Sequence, residues 1–262
     1  MSYYAESRLG RYSPSELSVT FEPRGNSSTR RPFFYAHGAN GNGLQAYDGA
    51  TQKGVTKNLA ALAHEGLYGL SGDFGGPHTY GNDTGLAAME GAWTYAQGTG
   101  RCKTDKVILL GASMGAMECF RFALAHPTLV AGIICWIPAI DIEDFRTRNV
   151  LSLRDQINTG NSVAGQGWGL PAGSYIGGAD QTPVPTRGKP LDAGNMATVA
   201  AIPTHLFYSS GDTACTSTAV DAYAAGRANV TKHLVSTSLN HTDAAILAAS
   251  INDVVELVRS WA

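Results

Sequence analysis

The sequence predicts an α/β protein with a mainly parallel central sheet and helices on both faces. Three observations carry this. Strand-like and helix-like runs alternate through most of the 262 residues, the pattern of successive β-α-β units. Leu129 to Trp136 is continuously apolar with β-branched residues, as in a strand buried on both faces. Gly111-Ala112-Ser113-Met114-Gly115 joins a strand-like run, Lys106 to Leu110, to a helix-like run, Ala116 to Ala125. G-x-S-x-G between a strand and a helix is a sharp turn that lifts a serine hydroxyl out of a sheet.

The elements follow in order. Leu17 to Phe21 reads as an edge strand and Pro32 to Ala36 as a buried one, followed by a glycine-rich turn, His37 to Gly43. Val55, Leu59, Leu62 and Ala63 recur at helical spacing, predicting an amphipathic helix over Lys53 to Glu65. Leu67 to Leu70 reads as a short strand. Leu86, Met89 and Trp93 mark one face of a helix from Asp83 to Gln97. Pro127 ends the helix after the serine turn. Further strands are expected at Thr204 to Tyr208 and Lys232 to Ser236, with helices at Ser217 to Arg227 and around Leu247, Ile251, Val254 and Val258. The segment 141–198 breaks the alternation. It is long and rich in Gly, Asn, Pro and Thr, so it is expected to form a cap or lid insertion within one domain spanning 1–262.

Composition excludes several functions. With 44% hydrophobic residues, 15% charged residues and a net charge of −2, the chain has core material and no basic footprint for nucleic acid. The first residues lack the apolar stretch of a secretory signal, and no apolar run is long enough to span a bilayer. The expected setting is therefore cytoplasmic, or virion-associated if a phage encodes the chain. The four cysteines, Cys102, Cys119, Cys135 and Cys215, have no metal-site spacing and are expected as unbridged thiols. No metal or cofactor is expected. Gly41 to Ala46 matches G-x-G-x-x-A, but Tyr47-Asp48-Gly49 interrupts the helix that a dinucleotide site needs. Oligomeric state is not legible.

A serine hydroxyl is a weak nucleophile and needs a base oriented by a carboxylate. Behind a serine on such a turn, the order along the chain is acid and then histidine. Asp212 follows the strand Thr204 to Tyr208 and is the candidate acid, with Asp141 as its rival. His241, between the last strand and the last helix, is the candidate base, and His78 is the other loop histidine in contention. His126, His64, His205 and His233 fall on helix ends or inside strands. Donors for an oxyanion are expected from the backbone N–H of Met114 and from Ala39 in the loop His37 to Gly43, with His37 shaping that loop. Trp136 and Ile137 are expected to line a substrate pocket with residues of the 141–198 insertion.

With the loop at His37-Gly38-Ala39, the turn at Ser113, the acid at Asp212 and the base at His241 in this order, the chain resembles the α/β-hydrolase superfamily of serine esterases and lipases over Ser18 to Ala262. The resemblance implies a cofactor-free hydrolase acting on an ester or related acyl bond through Ser113, Asp212 and His241. A thioesterase, peptidase or acyl transferase would use the same triad. A binding or structural protein of a virion would keep only the fold. The segment Gly72 to Asp83 is also similar to hydrolase-like proteins of actinobacterial phages, some encoded among tail genes. That would imply an envelope-derived ester as substrate.

Overall fold

A computed structural model describes residues 5–13, 16–23, 30–41, 53–140, 189–241 and 243–261. Among them, eight strands form one sheet: β1 (Ala5–Ser13), β2 (Glu16–Pro23), β3 (Phe33–Ala36), β4 (Gly69–Gly72), β5 (Val107–Ala112), β6 (Val130–Trp136), β7 (Thr204–Ser209) and β8 (Val230–Ser236). Their order across the sheet is β1-β2-β4-β3-β5-β6-β7-β8. β1, β2 and β4 pair antiparallel, and every pair from β4 to β8 is parallel. The helices are α1 (Lys53–His64), α2 (Asp83–Gly98), α3 (Met114–Ala125), α4 (Ala193–Thr198), α5 (Ser217–Ala224) and α6 (Asp243–Trp261).

Strand alternation sorts the core into two layers. Phe34, Leu109, Ile133, Cys135 and Leu206 pack with residues of α2, α3 and α5. Their strand neighbours Phe33, Ile108, Ile134, Trp136 and Phe207 pack with Leu59 and Leu62 of α1 and with Ile246, Val254 and Val258 of α6. Each such side chain contributes about 1.5–3 kcal/mol on burial. Both faces of the central strands are therefore covered, and the ends of the strands are left to carry chemistry.

The fold class is as expected, and the departures are local. The strand expected at the edge, Leu17 to Phe21, is β2 and lies second, because β1 pairs outside it. The strand expected at Leu67 to Leu70 sits two residues later. Gly69 is required in it, since a Cβ there would lie 2.0 Å from the Phe33 ring, and two glycines and a serine in four residues hide the strand from propensity. The helix expected to reach Arg227 stops at Ala224, where Gly226 adopts a positive φ of 70°. Most of the expected cap, including Trp168, Tyr175 and Ile176, lies outside the described residues. Its last part, residues 189–198, contains α4, whose start is capped by the Asp192 carboxylate accepting from the N–H groups of Gly194 and Asn195. No helix among the described residues is long and apolar enough to cross a membrane.

Candidate active site

Because β3 and β5 to β8 run parallel, the segments leaving their C-terminal ends gather at one edge of the sheet. Ser113 leaves β5, Asp212 follows β7, His241 follows β8 and the loop 37–41 leaves β3. Ser113 has φ 50° and ψ −115°, a conformation that costs a residue with a side chain about 1–3 kcal/mol. Two hydrogen bonds hold it there: Ser113 N–H donates to the Trp136 carbonyl at 2.9 Å and Ala139 N–H donates to the Ser113 carbonyl at 3.0 Å. The flanking glycines have separate reasons. A Cβ on Gly111 would lie 2.6 Å from the Gly115 carbonyl oxygen, within the turn itself. A Cβ on Gly115 would lie 2.1 Å from the carbonyl oxygen of Ala36 on β3. α3 starts at Met114, so its positive end points at Ser113.

Ser113 Oγ lies 2.8 Å from His241 Nε2, and His241 Nδ1 lies 2.8 Å from Asp212 Oδ2. In the neutral tautomer that fits, Nδ1–H donates to the carboxylate and Nε2 accepts from the serine hydroxyl. The other carboxylate oxygen of Asp212 accepts the N–H groups of Ala214 and Cys215 at 2.8 and 2.9 Å. The two loops are braced against each other. Ser209 donates to the Leu239 carbonyl at 2.6 Å, and Thr213 donates to Asn240 Oδ1 from both its N–H and its hydroxyl. Gly211 lets them meet, since a Cβ there would lie 2.8 Å from the backbone of Ser238.

Ser113 is 6% and Asp212 4% exposed, while the His241 side chain keeps 26% of its surface. The relay therefore reaches solvent through the imidazole. Burial disfavours the imidazolium, but the hydrogen bond His241 donates to Asp212, with Cys215 beside it, outweighs burial and raises the His241 pKa above its ordinary 6.5. The Cys215 thiol lies against His241 and Ser113, and burial pushes its pKa up.

The loop expected to supply an oxyanion donor follows β3. Asn40 N–H donates to Pro77 and Gly41 N–H to Gly38, leaving the Ala39 N–H between them without an acceptor among the described residues. Met114, as the first residue of α3, has an N–H without an intrahelical acceptor. His37 is buried and its ring nitrogens face the carbonyls of Gly38 and Asp73 at 2.8 and 3.1 Å, which ties the loop to residues 73–82. His78 joins the same contact through Asn40 Oδ1 at 2.7 Å, so it buttresses the loop and does not meet Ser113. Asp141 and residues 42–46 of the G-x-G-x-x-A match lie outside the described residues. His126 pairs with Glu90 and His205 with His233, both away from the relay.

One expectation is corrected. Trp136 and Ile137 are fully buried in the layer under α6. The Trp136 indole N–H donates to Ser250 Oγ at 2.8 Å and its ring stacks on Phe207. Trp136 is thus core, and neither residue offers surface to a ligand; the Trp136 carbonyl positions Ser113, and the Ile137 N–H donates to the Phe207 carbonyl at 2.8 Å. Two further residues bear on the site. Cys215, three positions after the acid, touches the relay because the Asp212 turn folds it back. Glu118 is buried on α3, where its carboxylate accepts from the Thr79 hydroxyl and from Gly81 N–H at 2.7 Å, pinning the loop 73–82 behind the serine. An acidic residue on the inner face of an otherwise apolar helix was its signal.

No family model matches the chain, and no curated protein matches it. Solved structures do. Est1E from Butyrivibrio proteoclasticus aligns over 98% of this chain and 96% of its own, at 15% identity and a TM-score of 0.63. The S-formylglutathione hydrolase of Staphylococcus aureus aligns over 98% and 96%, at 11% identity and 0.63. Esterase B from Lactobacillus rhamnosis, inhibited by a tributyrin phosphonate, aligns over 99% and 86%, at 12% identity and 0.65. Such low identities speak to architecture, and with the sheet order and the elbow described above they agree that this chain has the α/β-hydrolase fold.

Proposed function

We propose that the protein is a serine hydrolase that cleaves a carboxylic ester through an acyl-enzyme on Ser113. The observation that carries this is the unbroken path from Ser113 Oγ through His241 to Asp212, each step 2.8 Å. Ser113 attacks the acyl carbon as its proton passes to His241 Nε2. Asp212 holds the opposite N–H and stabilises the imidazolium. The oxyanion of the tetrahedral intermediate rests on the N–H groups of Met114 and Ala39, donors of a kind worth about a hundredfold to a thousandfold in turnover. The alcohol departs with the proton from His241. Water then gives its proton to His241 and attacks the acyl group, and His241 passes that proton to Ser113 Oγ as the acid leaves. Esterases among the proteins of like fold support an ester-type acyl substrate.

The test is hydrolysis of p-nitrophenyl acyl esters of increasing chain length by wild type and Ser113→Ala, with active-site phosphonate labelling. The expected result is labelling at Ser113 and a loss of up to about a millionfold in kcat for the variant. A folded Ser113→Ala protein that turns over like wild type refutes the assignment. An unlabelled wild type supports the non-catalytic alternative.

A further inference from the structure

Among the described residues, one group of side chains has a donor set that the hydrolytic mechanism does not use in full. Asp212, Cys215 and His241 each offer a ligand atom, and these atoms all lie within 4.8 Å of one another. A tetrahedral zinc ion, with Zn–S of about 2.3 Å and Zn–N and Zn–O of about 2.0–2.2 Å, holds such donors about 3.3–3.6 Å apart. The 4.8 Å limit exceeds those separations by little more than about an ångström, within the reach of side-chain motion. The serine relay needs only the carboxylate and the imidazole. The thiol is the addition, and it lies against both His241 and Ser113.

We propose that Asp212, Cys215 and His241 form an inhibitory site for a thiophilic divalent cation of the zinc class, superimposed on the serine relay. The charge balance favours it. A carboxylate, a thiolate and a neutral imidazole exactly offset a divalent ion's charge only when both anionic donors bind, giving a neutral centre in a site where Asp212 and Cys215 are each 4% exposed. The thiol loses its proton to solvent on binding, as a coordinating thiol does. The ring binds through Nδ1, which lies 2.8 Å from Asp212 Oδ2, and its proton moves to Nε2, which faces the Ser113 hydroxyl. The ion enters past His241, the exposed member. Magnesium and calcium take oxygen ligands and do not suit this set. Bound metal takes the carboxylate that orients the ring and leaves Nε2 protonated, with no lone pair to accept the serine proton, so a loaded protein does not hydrolyse esters. The loss of activity rests on the proposed serine mechanism; the binding does not.

The experiment reads the two separately. Wild type, Ser113→Ala, Cys215→Val and Cys215→Ser are titrated with Co²⁺ and followed by the thiolate-to-cobalt charge-transfer absorption in the near ultraviolet. In parallel, ester hydrolysis by wild type and the two Cys215 variants is titrated with Zn²⁺ and then with EDTA, each variant against its own metal-free rate. The band is expected in wild type and Ser113→Ala and absent from both Cys215 variants. Zinc inhibition is expected to be reversed by EDTA and to need at least about tenfold more zinc once Cys215 is replaced. No band in wild type, or a band that survives in the Cys215 variants, overturns the site. Zinc sensitivity unchanged by replacing Cys215 overturns the inhibitory role. If the esters are not substrates at all, the cobalt band still decides the site.

Discussion

The backbone of Ser113 makes a stability prediction that two variants isolate. Ser113→Ala and Ser113→Gly both delete the hydroxyl and its contact with His241, so they differ only in whether a side chain must occupy φ 50°, ψ −115°. That conformation costs a residue with a Cβ on the order of 1–3 kcal/mol. Glycine occupies it freely but loses about 0.5–1 kcal/mol more chain entropy than alanine on folding. The bonds from Ser113 N–H to Trp136 and from Ala139 to the Ser113 carbonyl fix the turn in both variants, so the strain cannot relax away in the alanine protein. The glycine variant is expected to be more stable by about 1 kcal/mol, within a range of about 0–2.5 kcal/mol, or ~2–4 °C in melting temperature at the central value for a chain of this size. Differential scanning calorimetry of the two proteins side by side measures it. An alanine variant that melts above the glycine variant by the full ~1–4 °C of glycine's entropy cost shows that the turn stores no strain, and the account of the serine turn is then wrong.

Three further outcomes are expected. In the proposed mechanism His241 is the base and must be neutral, and its pKa is raised, so kcat/KM should climb with pH through a midpoint above 6.5. Asp212→Asn should lower that midpoint and reduce kcat by about ten-thousandfold; a wild-type midpoint at or below 6.5 contradicts the geometry of the pair. Burial and the neighbouring His233 pull the His205 pKa down to about 4, so the unfolded chain binds the extra proton first. The stability this contributes is complete above about 6.5 and lost as pH falls toward about 4. Melting curves should therefore show a steeper acid decline for wild type than for His205→Gln, and parallel declines would rule the histidine pair out as a cause. Trp136→Phe removes the N–H that reaches Ser250 at 2.8 Å and should cost about 1–3 kcal/mol in denaturant unfolding. Its KM across ester chain lengths should be unchanged, and a chain-length-dependent KM would return Trp136 to the pocket.

By itself the sequence determined the alternation of elements, the parallel sheet and the three side chains of the relay. The reason is local: apolar periodicity, the glycines around Ser113, and loops after strands are all written within a few residues of one another. Parallel topology then sends every such loop to one edge, so Ser113, Asp212 and His241 could be placed together before any distance was known. Tertiary structure decided what depends on neighbours distant in the chain. β4 is shifted because Gly69 must clear Phe33, and β2 is not an edge because β1 pairs outside it. Trp136 belongs to the core because Ser250 and Phe207 meet its ring. Cys215 joins the relay because two backbone N–H groups fold its turn onto Asp212. A side chain's partner across the sheet or across a loop leaves no periodic trace, since contact there is set by packing and not by spacing.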